Sequence, residues 1–236
     1  MQLPFAGRLT ALFTKQPIPG QVKTRLCPPL TTVNAARLAE AMLRDTVERC
    51  LAGEFCTVLA FAPAEAAGWF RATFPELADQ RAQVGSALGV RLALFVADSF
   101  ARREARSLVV IGSDQPLVPL ARIHEAHRAL EDGADCVLGP DPGGGYYLIG
   151  LTRSVPELFT AVPMSTSGMC AATEALARER GLAVVRLAEH GDVDTPADLE
   201  RLCASIDDPL ACASERFLRH TRRALAELSL LPSARP

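Results

Sequence analysis

The sequence predicts an α/β fold in which a mainly parallel sheet carries helices on both faces. Three observations point to it. Short apolar runs alternate with segments of helical period along most of the chain. The length, 236 residues, fits one sizeable domain with an appendage. Apolar residues make up 49% and charged residues 22%, the balance of a chain that buries a core instead of staying disordered.

Leu9–Thr14 is a short apolar run suited to a buried strand, and Pro17, Pro19 and Gly20 follow it as turn residues. Thr31–Leu51 reads as a helix, because Ala35, Leu38, Met42, Val47 and Leu51 recur near a 3.6 period. Thr57–Ala62 is the second strand, and Pro63 and Gly68 bracket a short helix holding Trp69 and Phe70. Leu88–Arg103 is helical, Leu108–Ile111 a strand, Ala121–Leu130 a helix and Cys136–Leu138 a strand. Tyr146–Leu151 has β character. Met169–Arg180 is a helix closed by Gly181, a C-cap residue. Ala183–Leu187 is the last strand, and Ala197–Ala204 the helix after it. Residues 1–207 thus make the core domain, and 208–236 a helical extension with a fraying tail. After a break at Pro209, Asp208–Leu231 carries Leu210, Phe217, Leu218, Leu225 and Leu228 among Arg219, Arg222 and Arg223. Such a helix packs on the domain or joins two copies as a homodimer.

Lys+Arg number 25 against 27 Asp+Glu, a net charge of -2, so the basic balance of a nucleic-acid binder is missing. No apolar run approaches the roughly 18 residues of a membrane span. Met1–Arg8 lacks the basic-then-apolar order of a secretory leader, which points to the cytoplasm. The 7 cysteines are odd in number, irregularly spaced and without a CxxC pair, so buried reduced thiols are expected. His124-Glu125-Ala126-His127 is one residue short of a zinc-binding HExxH, which places both imidazoles on a solvated helix face.

Ligands of open α/β sheets sit beyond the carboxyl ends of the strands, so the loops there carry the chemistry. The first runs from Lys15 through Pro19 and Gly20 to Lys23 and Arg25. Gly20 allows close backbone approach, Arg offers a planar fork to phosphate oxygens, and Lys a mobile point charge. The Walker A spacing is absent, and a solvated Pro-rich turn is the alternative. The second loop, Gly112–Pro116, carries Ser113 and Asp114, a hard oxygen ligand for Mg²⁺ beside a nucleotide phosphate or else the start of an Asx turn. In the third, Thr195, Pro196 and Asp198 form a helix start close to a capping box. That leaves Asp192 and Asp194 either to join Asp114 around a metal or to favour the helix N-terminus electrostatically.

The fourth, Gly139–Tyr147, holds Gly144 and Gly145, which permit close approach to a ligand, and Tyr146 and Tyr147, the chain's only tyrosines. One tyrosine is placed to stack on a base or sugar; a glycine-rich hairpin with a core tyrosine is the alternative. The fifth, Pro163–Gly168, enters a helix with Ser165 and Thr166, which either bind an anion there or cap the helix.

Together these segments resemble a bacterial family of nucleotide-diphospho-sugar transferase type, whose members are often labelled glycosyltransferases, some of arsenosugar biosynthesis. The resemblance rests on Phe13–Leu26, Ile111–Pro116, Gly144–Leu151, Ser165-Thr166 and Asp192–Pro196, in order, from about Leu9 to Leu202. The tail after Asp207 lies outside it. The family is similar in turn to 2-phospholactate guanylyltransferases and molybdenum-cofactor nucleotidyltransferases. The resemblance implies the GT-A fold, a Rossmann-like three-layer α/β/α sandwich. It also implies that the loop with Gly20, Lys23 and Arg25 holds nucleotide phosphates, that Asp114, Asp192 and Asp194 bind Mg²⁺ or Mn²⁺, and that Ser165 and Thr166 touch the acceptor. Two departures bear on substrate choice: Gly143 stands where relatives carry Asp, and Ser86-Ala87-Leu88-Gly89 replaces a Gly-Asp-Leu-Gly-type segment.

The expected activity is metal-dependent transfer from an activated nucleotide to a small acceptor, with Lys23, Arg25 and Asp114 as catalytic groups. Glycosyl transfer from a nucleotide sugar stands first. Nucleotidyl transfer from a nucleoside triphosphate to a phosphorylated molecule is the alternative, and a non-catalytic nucleotide-binding protein the third reading.

Overall fold

The computed structural model describes residues 7–53, 55–103, 105–206 and 218–231. Seven strands make one sheet: β1 (Arg8–Lys15), β2 (Cys56–Ala62), β3 (Gln80–Ala82), β4 (Ser107–Ile111), β5 (Cys136–Pro140), β6 (Tyr146–Leu151) and β7 (Val184–Arg186). Their order is β3-β2-β1-β4-β6-β5-β7. All neighbours pair in parallel except β6, which runs antiparallel to both β4 and β5. The expected α/β sheet is therefore present. Its one reversed strand arises because β5 and β6 form a hairpin, so the glycine-rich segment between them is its turn, with Gly144 N–H donating to Asp141 O at 3.1 Å.

The eight α-helices among the described residues are α1 (Thr32–Leu51), α2 (Ala67–Thr73), α3 (Leu88–Ala101), α4 (Leu120–Glu131), α5 (Glu157–Thr160), α6 (Met169–Glu179), α7 (Pro196–Ser205) and α8 (Arg219–Glu227). On one face Leu43 and Val47 of α1, Phe70 of α2 and Ile123 of α4 cover Leu12, Leu59 and Val109. On the other, Leu92 and Val96 of α3, Phe159 of α5 and Ala177 of α6 cover Ala11, Val110 and Ile149. The central strands are mostly apolar because helices bury both faces; every residue of β4 is buried. A third cluster joins the far side of α1 to α7, α8 and the short 3₁₀ turn Thr24–Leu26, through Leu26, Leu38, Leu202 and Leu225.

Several boundaries differ from the sequence reading. Gly68 lies inside α2 instead of bounding it, and α3 ends at Ala101. The short elements β3 and α5 carry too few residues to show a period. His127 is fully buried and not solvated: its ring nitrogens lie 2.9 Å from Thr10 Oγ1 and 2.9 Å from Ser107 Oγ. Burial pushes its pKa down to about 4, so it is neutral and holds α4 to the sheet through two hydroxyls. Of the six described cysteines, all free, only Cys50, Cys136 and Cys170 are buried, whereas Cys56 is exposed.

Within the extension, α8 packs on α1. Asp45 of α1 accepts from the backbone N–H groups of His220 (3.0 Å) and Thr221 (2.7 Å), satisfying the first turn of α8. Leu218 and Leu225 are buried in the same chain, so the packing role of this helix is realised internally. Leu210, Phe217, the break at Pro209 and the tail Pro232–Pro236 lie outside the described residues, as do Met1–Ala6.

Candidate functional site

The chain turns back on its sheet between β1 and β4: β2 and β3 extend one way from β1, and β4 begins the other half. A crevice forms outside the carboxyl ends of strands at such a point. Here it is a cleft of about 470 Å³. Two strand-end residues tie its floor together, Thr14 Oγ1 and Ser113 Oγ lying 3.0 Å apart.

At one end, a cation sits among carboxylates. Lys23 holds a left-handed backbone (φ 48) at the start of the 3₁₀ turn, and its side chain is only 8% exposed. Its Nζ donates to Asp114 Oδ2 at 2.8 Å and to Asp194 Oδ1 at 2.6 Å. Burial works against its charge, but the two carboxylates outweigh burial and hold its pKa above the usual lysine range. Asp114, Asp192 and Asp194 each offer a carboxylate oxygen, all within 4.8 Å of one another. Asp192 is pushed up to about 6, first by burial and then by the negative charges of Asp194 and Asp114.

Local sequence explains these positions. In Asp192-Val193-Asp194 the buried Val193 anchors in the third core cluster, and the carboxylates on either side of it both reach Asp114. Val193 N–H donates to Asp114 O at 3.1 Å, which joins the two acidic loops. Asp198 completes the expected capping box of α7 with Thr195. Its Oδ2 also accepts from Asp194 N–H at 3.0 Å, so the cap fixes a carboxylate of the cluster. Asp198→Ala is therefore expected to lower stability by about 0.5–2 kcal/mol, read from urea unfolding at constant slope. The loop bearing Asp114 has a second support: Arg49 of α1, 2% exposed, donates to Gln115 O (3.3 Å) and Val118 O.

Of the residues singled out from sequence, Lys15, Lys23, Ser113, Asp114, Tyr146, Ser165 and Asp194 line the cleft. Asp192 joins them through the carboxylate cluster. Arg25 stands at the rim, 75% exposed, with Nη1 3.8 Å from Asp194 Oδ2. Pro19 and Gly20 are exposed on the loop outside the lining.

Two of the hairpin glycines lie tight against protein atoms. A Cβ on Gly144, whose φ is +86, would lie 1.8 Å from Ser167 O, and one on Gly145 would lie 2.4 Å from Asp141 Oδ2. Tyr147 is in the core and donates to Ala188 O at 3.1 Å. Thr166 is exposed with its hydroxyl donating to Pro163 O at 3.1 Å, and neither it nor Ser165 caps α6, whose N-cap is Gly168. Sequence reasoning gave no site role to Phe13, Gln83, Leu92, Met164 and Met169, which also line the cleft, as does Leu88 of the departing Ser86–Gly89 segment. Nothing in their own spacing marks them, since the topology alone gathers them.

Carboxylate oxygens are hard donors, and three of them at this spacing suit Mg²⁺ or Mn²⁺. The donor set therefore fits such an ion, with Lys23 as the competing cation.

Residues 46–166 match the family described as "Uncharacterized protein conserved in bacteria (DUF2064)". No curated protein matches the chain. Among solved structures, a Desulfovibrio desulfuricans G20 protein provisionally named a nucleotide-diphospho-sugar transferase superposes with a TM-score of 0.81 at 26% identity, covering 93% of this chain and 97% of that one. A cytidylyltransferase from Leptospira borgpetersenii serovar Hardjo-bovis (strain JB197) gives 0.56 at 13% identity, over 97% and 98% of the two chains. Rv0371c from Mycobacterium tuberculosis H37Rv, in complex with manganese, gives 0.50 at 21% identity, over 84% and 98%. The chain has the α/β fold of these nucleotide-diphospho-sugar transferase-like proteins.

Proposed function

The chain belongs to the bacterial family DUF2064, and on that premise we propose that it is a divalent-metal-dependent transferase that moves a glycosyl group from a nucleotide-diphospho-sugar to a small acceptor. The observation that carries the reading is the cluster of Asp114, Asp192 and Asp194 around Lys23 at the topological switch point. When bound, Mg²⁺ or Mn²⁺ supplies positive charge to the leaving diphosphate. Asp114, Asp192 and Asp194 hold it. Lys23 and Arg25, on the loop after β1, meet the developing negative charge with preorganised cations. Lys15 and Ser113 face the same end of the nucleotide, and the loop of Pro19 and Gly20 carries the cations into place. Ser165 and Tyr146 face the acceptor, with Thr166, Gly144 and Gly145 shaping the segment behind them.

Nucleotidyl transfer is the second reading. It is favoured by the three cations Lys15, Lys23 and Arg25 on one loop, enough for a triphosphate.

A thermal-shift panel of nucleoside triphosphates and nucleotide sugars, with and without Mn²⁺, tests the proposal. A ligand that binds only the folded state raises its stability by mass action. The expected result is a metal-dependent rise with one class of nucleotide. A nucleotide sugar as that class supports glycosyl transfer, and a triphosphate nucleotidyl transfer. No rise with any nucleotide contradicts both.

A further inference from the structure

The cleft is built from two chemistries. Its charged lining residues are Lys15, Lys23, Asp114 and Asp194, from the end of β1, the loops after β1 and β4 and the loop before α7. A second part of the lining, an apolar wall, comes from the start of α3 and from residues 164–169, and it is made of Leu88, Leu92, Met164, Ser165 and Met169. Phe13, Val110 and Ile149 of the sheet floor it. Among the described residues no charged side chain lies on that wall. The two segments are in contact, since a Cβ on Gly89 would lie 2.0 Å from Phe159 O and 3.2 Å from Met164 Cγ.

Several polar groups beside that wall are turned away or occupied within the protein. The Tyr146 hydroxyl is buried beside Thr173 of α6, so the cleft meets the ring. Both Gln83 amide hydrogens are used on backbone carbonyls, of Thr14 at 3.0 Å and Ala60 at 2.8 Å. Ser165, held at φ 61, donates its N–H to Met169 Sδ at 3.4 Å, which fixes one thioether in the wall. Met42, Met164 and Met169, three of the chain's 4 methionines, line this cleft. Thioethers adapt to irregular apolar shapes.

An anionic group seated against such a wall loses its water and gains no cation, whereas an uncharged apolar body gains by leaving water. We infer that the acceptor is a neutral alcohol with an apolar body, lying against Leu88, Leu92, Met164 and Met169 with its hydroxyl toward Asp114. A sugar phosphate or phosphorylated acid does not fit there. This inference rests on the transferase reading for the identity of the bound molecule as acceptor, and within that reading it favours glycosyl over nucleotidyl transfer.

Methyl-labelled methionine gives a direct readout, because so few methyl signals must be assigned and Met164→Leu and Met169→Leu assign the two that matter. The full chain is titrated with 2-phenylethanol and separately with glycerol 3-phosphate, with and without Mn²⁺ and the nucleotide identified by the panel. Saturable shifts of the Met164 and Met169 methyls with 2-phenylethanol, and none with glycerol 3-phosphate, are expected. Leu88→Lys, at a position already 44% exposed at the start of α3, should weaken 2-phenylethanol and strengthen glycerol 3-phosphate by about tenfold each. Phosphate binding to the unaltered wall, or no methionine shift with the alcohol, overturns the inference. Nucleotide binding is read separately in the panel. If nucleotide binds and the alcohol does not, the acceptor assignment falls alone; if no nucleotide binds, the transferase reading falls and takes the acceptor assignment with it.

Discussion

Asp114→Asn is expected to abolish metal-dependent nucleotide binding while the protein stays folded. Asp114 supplies one of three clustered carboxylates and stands on the loop directly after the central strand β4. Removing its charge takes away a metal ligand, and an effect of at least about 100-fold on metal affinity is expected, since even residues behind the ligands are worth 10–100-fold. Asn keeps an oxygen for Lys23 Nζ, which now sits 2.8 Å from Asp114 Oδ2. The stability cost should therefore stay within about 1–3 kcal/mol. Calorimetric titration with Mn²⁺ in the presence of nucleotide, beside a urea unfolding curve, reads both quantities. Metal-dependent binding at unchanged affinity in the variant would remove Asp114 from the site.

Lys23→Met is expected to act in opposite directions on metal and nucleotide. The ammonium donates to Asp114 and Asp194 at 2.8 and 2.6 Å, so it neutralises the oxygens a divalent ion needs. Unit charges 4 Å apart interact by roughly 4 kcal/mol at an effective dielectric of ~20, enough for such a competition to govern affinity. Without the ammonium, the three carboxylates keep only the exposed Arg25, 3.8 Å from Asp194 Oδ2, as a paired cation. Asp192, already raised to about 6 by burial and its acidic neighbours, loses the one nearby cation that lowers it. The variant should therefore bind Mn²⁺ alone at least about tenfold more tightly and become more stable when Mn²⁺ is added. It should bind nucleotide with metal more weakly, because the cation that would turn to the phosphates is gone. Unchanged Mn²⁺ affinity without nucleotide would show that Lys23 does not compete for these oxygens.

Much of this arrangement is legible in the residues. Leu9–Thr14, Thr57–Ala62 and Leu108–Ile111 read as strands because burial on both faces makes them predominantly apolar. The capping box of Thr195 and Asp198 is legible because its partners are three residues apart. Strand direction is not, since an apolar run carries no sign of it, and β6 reverses the sheet through a hairpin that its glycines only suggest. His127 could have been found. Ile123, Ala126, His127 and Leu130 follow helical spacing, so the imidazole lies in the apolar stripe of α4. In the site, Asp114, Asp192 and Asp194 stand out by type and by their place after strands. That Lys23 lies between two of them could not be read, because the contacts join residues 91 and 171 positions apart. The apolar wall was hidden for the same reason: Leu88, Leu92, Met164 and Met169 belong to two helices and a loop that only the fold brings together.

The most direct test is the affinity of the unaltered protein for its best nucleotide from the panel, measured by calorimetry with Mn²⁺ and again with a chelator. A shared site in which Asp114, Asp192 and Asp194 hold the ion against the phosphates predicts at least about tenfold tighter nucleotide binding with Mn²⁺. The same factor must then appear in Mn²⁺ affinity when nucleotide is added, because coupling between two ligands is reciprocal. Equal nucleotide affinity with Mn²⁺ and with chelator would contradict the account.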